Sequence, residues 1–116
     1  SIGETNFIPA RIRGGAAHLA GGVELKIGQS RADGAATLAV RPEHLRLVPQ
    51  GMAGALSATV SHSVYFGTDS HVHLKLLDGT ELVARQQTDP DGAGEPKPGA
   101  VVGISFAPGA VQVLED

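Results

Sequence analysis

The chain has 116 residues, the size of one domain, and twelve Asp and Glu against nine Lys and Arg give it a formal net charge of −3 at pH 7. Cysteine is absent, which excludes a disulfide framework and a thiolate zinc site, and the negative balance gives no electrostatic reason to expect nucleic acid or anionic lipid as a partner. No apolar run approaches the ~18 residues that a membrane-spanning helix needs, and the first residues lack the pattern of a signal peptide. We expect a core of Val, Leu and Ile side chains, joined by Phe7, Tyr65, Phe66 and Phe106.

The first half of the chain predicts short strands separated by turns. Apolar and polar residues alternate with a period of two, as they do in a strand with one solvated face. The predicted strands are 7–12, 23–27 and 37–41, with a turn at 20–22 and a polar loop at 28–34 between them. Pro9 fits only near the start of the first strand or at a sheet edge, because proline has no N–H for the hydrogen-bond ladder.

A corner is predicted at Arg41-Pro42-Glu43-His44. Proline cannot continue a strand ladder, and the residue before it favours extended geometry, so Arg41 suits the end of a strand. Pro42 then fits the first position of a single tight helical turn. Another short strand is expected over 45–47, ending at Pro49.

The second half gives a clearer pattern. In the run that closes at 65–67, the residues predicted to share one side are Leu56, Ala58, Val60, His62 and Val64. Asp78-Gly79 separates two alternating runs, 71–76 and 80–85, and predicts a hairpin because glycine accepts the positive φ of a tight turn. A solvated, mobile loop is expected over 88–98, followed by strands at 99–106 and 111–114 around a turn at 107–109.

These patterns predict an all-β fold, an OB-like small barrel or sandwich in which two β lobes are intertwined. We expect one domain over residues 1–116, with lobes of about 1–50 and 51–116. No helix of three turns is visible. The sequence also lacks the Gly-rich loop with Lys and Ser or Thr that binds phosphate in nucleotide-hydrolysing enzymes.

The order in which several short segments follow one another is informative. They are Ile2-Gly3-Glu4-Thr5-Asn6-Phe7, Val40-Arg41-Pro42-Glu43-His44-Leu45-Arg46-Leu47, Val64-Tyr65-Phe66-Gly67, Leu77-Asp78-Gly79-Thr80, Val101-Val102-Gly103-Ile104-Ser105-Phe106 and Val111-Gln112-Val113-Leu114. Each is a weak signal alone. Together, over residues 2 to about 114, they resemble the C-terminal TOBE (transport-associated OB) region of ATP-binding subunits in ABC importers of the polyamine, ferric-iron and sugar type.

The resemblance implies a regulatory, dimer-stabilising domain that follows an ATPase domain, in a fragment cut from a longer subunit. It implies no catalysis and no cofactor or metal in this chain. The implied partners are a second copy of the ATP-binding subunit, the permease reached only through the missing ATPase domain, and a solute or a regulatory protein. The implied location is cytoplasmic, peripheral to the inner membrane.

Arg41, Glu43 and His44 are the candidate residues for a subunit or partner contact. A turn that carries a cation, an anion and an imidazole is suited to an ion pair across a dimer. The alternative is structural: Pro42 shapes the corner, Arg41 and Glu43 pair locally, and exposed pairs of this kind contribute less than about 1 kcal/mol.

His62, His71 and His73 are the candidate titratable surface patch. His71 and His73 are two residues apart and so project from one face of the predicted strand, with His62 on the neighbouring run. Imidazole binds metals and titrates near neutrality. No carboxylate or thiolate is clearly placed to complete a metal site, so solvated histidines and a pH-sensitive patch are the alternatives that stay open.

Three hypotheses of function follow. The first is the regulatory domain just described. The second is a sensor of the same fold that binds an oxyanion, a cation or a polyamine in a cleft. The third is a free-standing module for single-stranded nucleic acid, in which Tyr65 and Phe66 stack on bases; the negative charge and the 3% aromatic content oppose it.

Overall fold

Ten short strands carry the fold in the part of the chain that the structure describes. The structure is a computed structural model that describes residues 4–28, 30–88, 91 and 94–114. The strands are β1 (Asn6–Arg13), β2 (Ala16–His18), β3 (Glu24–Lys26), β4 (Gly34–Val40), β5 (Leu45–Val48), β6 (Leu56–Tyr65), β7 (Asp69–Leu76), β8 (Glu81–Gln87), β9 (Val101–Phe106) and β10 (Gln112–Leu114). Single 3₁₀ turns occupy Ala20–Gly22 and Pro42–His44, and no helix in these ranges is long and apolar enough to cross a membrane. The all-β prediction is confirmed; β2 was missed because Ala16–His18 shows no alternation.

Two antiparallel sheets divide the strands. The first sheet has the order β10–β4–β1–β2–β3, and the second has the order β5–β9–β6–β7–β8. The chain crosses to the second sheet between β4 and β5 and returns between β9 and β10. A division near residue 50 therefore does not coincide with the sheets, because β5 pairs with β9 while β10 pairs with β4. This exchange of one strand in each direction intertwines the two halves of the sequence.

One apolar core is shared by both sheets. The large buried side chains of the first sheet are Ile8, Ile12, Leu38 and Val40, and those of the second sheet are Leu45, Leu56, Val60, Val72, Leu74, Leu76, Leu82 and Ile104. Along β1, β7 and β8 they alternate with less buried residues, as the period of two predicted, whereas Leu38, Ala39 and Val40 of β4 are buried consecutively. The second sheet therefore supplies most of the large side chains in the core.

The aromatic side chains contribute less to this core than the sequence predicted. Phe7 is 54% exposed, Tyr65 48% and Phe66 58%, and of the four only Phe106 packs against the buried cluster. The expectation that Phe7, Tyr65 and Phe66 join the core is therefore wrong. Branched aliphatic side chains already fill the space between the sheets, and these rings lie on the outer surface.

The hairpin between β7 and β8 forms as predicted. Gly79 has φ of 88°, the left-handed conformation that glycine tolerates, and its N–H donates to Leu76 O at 3.0 Å. Asp78 Oδ1 accepts from the Thr80 N–H at 3.0 Å, which completes an Asx turn. The turn fixes the register that places Leu74 opposite Leu82, with both side chains in the core.

A β-bulge interrupts β6 and corrects one prediction. Val60 lies opposite Leu74, but the next paired residue is His62, opposite His73. The extra residue, Ser61, reverses the alternation, so His62 and Val64 are exposed and do not share the buried side of Leu56. A regular period of two could not reveal this insertion.

Pro9 is tolerated within β1 because that half of the strand has only one partner. Pro9 lies opposite Thr37 of β4, whereas β2 pairs only with residues Arg11–Arg13. The missing N–H therefore breaks no ladder on the other side. β1 is the middle strand of its sheet and not an edge strand, but Pro9 lies in a stretch of it that has a partner on one side only.

The loop predicted over 88–98 lies partly outside the described residues, which omit 89, 90, 92 and 93. Its described part contains no strand. Ser70, which is fully buried on β7, donates to the Glu95 carboxylate, so this end of the loop is anchored to the second sheet.

Candidate partner surface and groove

The corner, defined as Arg41 to His44, lies where the chain crosses from the first sheet to the second. Arg41 follows β4 in extended geometry, with ψ of 150°, and Pro42 begins the 3₁₀ turn. The His44 N–H donates to Arg41 O at 3.0 Å. Pro42 is buried, His44 is half-buried, and the side chains of Arg41 and Glu43 are exposed. The predicted tight turn is confirmed, and it presents two opposite charges on a fixed backbone.

The return crossing packs against this corner. The Ala107 N–H donates to His44 O at 2.9 Å, and a turn closed by the Ala110 N–H and Ala107 O at 3.2 Å leads into β10. The two places where the chain changes sheets are therefore hydrogen-bonded to each other. This contact limits how far the corner can move relative to either sheet.

An ion pair between β7 and β8 lies close enough to the corner to interact with its charges. Arg85 Nε donates to Asp69 Oδ2 at 2.5 Å, with the Asp69 side chain 17% exposed and that of Arg85 52% exposed. The hydrogen bond that Arg85 donates to Asp69, then the negative charges of Asp69 and Glu43, raise the pKa of Arg85 above its ordinary value. Glu43 thus interacts with Arg85, and within the described ranges no ion pair joins it to Arg41.

The structure brings two of the three candidate histidines together. The rings of His62 and His73 are stacked, with centroids 4.3 Å apart and planes 9° from parallel. His71 projects from the same face of β7 but contacts Phe66, at 4.7 Å and 57°. Among the residues described, no three His, Cys, Asp or Glu side chains are arranged to hold a metal ion.

An open groove of ≈ 600 Å³ runs beside the stacked pair, between the start of β1 and strands β6 to β8. The residues that line it are Glu4, Thr5, Asn6, Phe7, Ser61, His62, His73, Leu74, Glu81, Leu82 and Val83. Two carboxylates, an exposed phenyl ring and two imidazoles thus share one surface. The volume falls within the ~300–1,000 Å³ typical of small-molecule sites.

A clasp, formed by Asn6 and Val83, holds one wall of this groove. The Asn6 side-chain amide donates to Val83 O at 2.9 Å, and Asn6 Oδ1 accepts from the Val83 N–H at 2.8 Å. Asn6 is 6% exposed, and it satisfies the outer backbone groups of β8 as a neighbouring strand would. This clasp joins the first sheet to the edge of the second.

Comparison with known families identifies the family of this chain. The family model described as the TOBE domain matches residues 38–114. This range runs from the end of β4 through the corner and the whole second sheet to β10. The chain belongs to the TOBE domain family.

Three similar proteins are all spermidine/putrescine import ATP-binding proteins. The chain is 41% identical over 124 residues to the spermidine/putrescine import ATP-binding protein PotA of Ruegeria pomeroyi, covering 99% of the chain and 33% of that protein. The PotA proteins of Mesorhizobium japonicum and Pseudomonas fluorescens are 41% and 36% identical, with the same coverage. The chain spans about a third of the length of these relatives.

A solved structure shares the fold of this TOBE domain. The cytoplasmic molybdate-binding protein ModG, solved with molybdate bound, superposes with a TM-score of 0.70 over 95% of this chain and 94% of that one. Its sequence is 18% identical, so the likeness establishes the OB-like fold alone.

Sequence reasoning missed three features of the groove: the acidic pair Glu4 and Glu81, the exposed ring of Phe7, and the Asn6 clasp. Glu4, Asn6 and Phe7 belong to the segment that carried the family resemblance, but nothing in the sequence indicated their partners on β8. One signal was present: Asn6 is a polar residue immediately before an apolar strand, a position where a side chain commonly satisfies backbone groups.

Proposed function

We propose that this chain is the regulatory domain of the ATP-binding subunit of a polyamine importer. The observation that carries the proposal is the alignment of 99% of the chain with the spermidine/putrescine import protein of Ruegeria pomeroyi at 41% identity. In this role residues 1–116 form one non-catalytic domain, and ATP hydrolysis belongs to the remainder of the longer protein. The location is cytoplasmic, at the inner face of the membrane beside the permease.

The mechanism is mechanical. Two copies of the subunit stay in contact through this domain while nucleotide moves the ATPase domains apart and together, and the permease is reached only through those domains. The corner supports this proposal, because Pro42 is buried and His44 is bonded to Ala107, so Arg41 and Glu43 are held in place before any partner arrives. A contact made by preorganised groups forfeits less conformational entropy on association.

Cross-linking of the longer protein tests this contact. The 116-residue chain has no cysteine, so Glu43→Cys introduces one defined thiol into a parent whose other cysteines have been replaced. A short bismaleimide is expected to join two subunits at this position both with and without ATP. Glu24→Cys, on the edge strand β3 of the first sheet, is the matched control and is expected to give little product.

Two outcomes would contradict the proposal. Equal cross-linking at Glu43→Cys and Glu24→Cys would show that the corner is not the contact. Cross-linking that appears only with ATP would show that the contact follows the ATPase domains and does not persist through the cycle.

A second candidate function is small-molecule sensing, and the groove favours it. Glu4 and Glu81 supply negative charge and Phe7 supplies an exposed ring, which together suit an organic cation such as a polyamine. The same carboxylates disfavour an oxyanion. A ligand bound there would regulate the subunit if it bound one arrangement of the dimer more tightly than the other.

Titration with putrescine, followed by amide NMR shifts of the chain, tests the sensor. Shifts are expected to map to the groove and to be weakened several-fold by Glu81→Gln, with Glu24→Gln as the charge-matched control. 1,4-Butanediol, which has the same length without charge, is expected to cause none. No groove shifts with putrescine, or equal shifts with molybdate, would contradict a cation sensor.

A further inference from the structure

The bulge in β6 has a specific consequence for the groove. In regular pairing after Val60 and Leu74, Ser61 would lie opposite His73; the extra residue places His62 there instead. Bulges commonly re-aim a side chain at a functional surface. Here the re-aimed side chain is one of two imidazoles that meet face to face, and both line the groove.

The stacked geometry is sensitive to protonation. Imidazole is the side chain whose ordinary pKa lies between pH 5 and 8. Two neutral rings 4.3 Å apart and nearly parallel attract each other through their π faces, and one proton leaves that contact favourable. Two protons place like charges at this separation, which opposes the stack.

The charges around the pair determine where an opened imidazolium can go. Glu4, from the segment before β1, and Glu81, from β8, line the same groove. On β7 the neighbours on the same face are His71 and Lys75, while Asp69 is already paired with Arg85 of β8. Lys75 disfavours a second positive charge in the stack, and each carboxylate offers a partner for a ring that leaves it.

We propose that the His62–His73 contact is a proton-responsive device that sets the shape of the groove. At pH 8 the rings are stacked. Near pH 5, with both rings protonated, the stack opens and the imidazoliums turn towards Glu4 and Glu81, so the groove loses its free carboxylates. The proposal goes beyond the proposed function, because it requires neither a bound ligand nor a second subunit.

NMR of the 116-residue chain without ligand tests it. The nuclear Overhauser contact between the two rings is expected at pH 8 and lost at pH 5. The contact between the rings of Phe66 and His71, in which only one ring can carry a proton, serves as the internal control and is expected at both pH values.

Two variants separate charge from shape. His62→Phe keeps a flat ring that cannot be protonated, so its contact with the His73 ring is expected to persist at pH 5. His62→Gln removes the ring and is expected to abolish the contact at both pH values. A contact between His62 and His73 that is retained at pH 5 in the wild-type chain, or one that is lost at pH 5 in His62→Phe, would overturn the proposal. Because no ligand or subunit is present, that failure would leave the test of importer regulation unaffected.

Discussion

The two sheets of this protein differ in what they contribute. The first sheet has short outer strands, and several of its buried positions are alanine, including Ala16, Ala17 and Ala39. The second sheet supplies most of the large core side chains, and it also carries the bulge, the stacked histidines and the Asp69–Arg85 pair. The large core side chains and these interacting surface groups thus lie in the same sheet.

The difference indicates how a small β domain can present polar and aromatic groups on its surface. A sheet whose inner face is well packed can carry exposed charged and aromatic groups on its outer face without losing its shape. The first sheet, attached through two crossings and the Asn6 clasp, closes one side of the groove. Variants in each sheet test this difference between the two sheets.

The largest effect is expected in the core of the second sheet. Leu74 is 1% exposed, and Leu74→Ala is expected to lower the free energy of unfolding by about 2–5 kcal/mol, because it removes buried methyl groups and leaves a cavity. Leu77, three residues along and 75% exposed, is the control; Leu77→Ala is expected to change stability by less than about 0.5 kcal/mol. Urea denaturation measures both. Equal losses would contradict the burial of Leu74 in the core.

The next prediction concerns the close packing of Gly103 against Val48 and Pro49. A Cβ at Gly103 would lie 2.8 Å from both Pro49 O and Val48 Cγ2, so Gly103→Ala is expected to cost about 1–3 kcal/mol through overpacking against backbone. Gly28, in the loop of the first sheet, has open space around the same added atom. Gly28→Ala is expected to leave the denaturation midpoint nearly unchanged, and a comparable loss there would contradict the packing described for Gly103.

A third prediction concerns the link between the sheets. Asn6→Ala leaves the N–H and C=O of Val83 without their partner and is expected to destabilise the fold by about 1–3 kcal/mol. Hydrogen exchange provides a local readout, because the Val83 amide should lose its protection while that of Leu76, which donates to Thr80 O, stays protected. Unchanged exchange at Val83 would show that the clasp does not hold in solution.

The smallest effect is a pH dependence at the β7–β8 turn. The hydrogen bond from the Thr80 N–H, then that from its hydroxyl, lowers the pKa of Asp78 below its ordinary value. The lowered pKa stabilises the fold above the pKa of the unfolded chain and stops doing so as pH falls through the folded value. Because Asp78 is exposed, the loss should be a few tenths of a kcal/mol. Asp78→Ala should remove this part of the acid sensitivity, and an identical pH profile would contradict it.

Local signals in the sequence predicted local structure well. The Asp78-Gly79 hairpin and the Pro42 corner depend on backbone geometry that only a few residue types provide, so the residues themselves indicate the turn. The alternation over Val72, Leu74 and Leu76 likewise predicted the buried face of β7 correctly.

Features that depend on distant partners were not predicted. The bulge at Ser61 is set by pairing with β7, and it reversed the predicted side of His62. The Asn6 clasp joins residues 77 positions apart. Phe7 and Phe66 are exposed because aliphatic side chains from both sheets already fill the core. The sequence of one segment alone does not indicate this.

The rate of ATP hydrolysis by the longer subunit, assembled with its permease, tests the central claim most directly. The account predicts that the isolated 116-residue chain hydrolyses no ATP. It also predicts that Arg41→Glu combined with Glu43→Arg, which keeps the net charge, alters the rate of the assembled transporter several-fold while leaving nucleotide binding intact. Hydrolysis by the isolated chain, or an unchanged rate in the charge-swapped transporter, would contradict it.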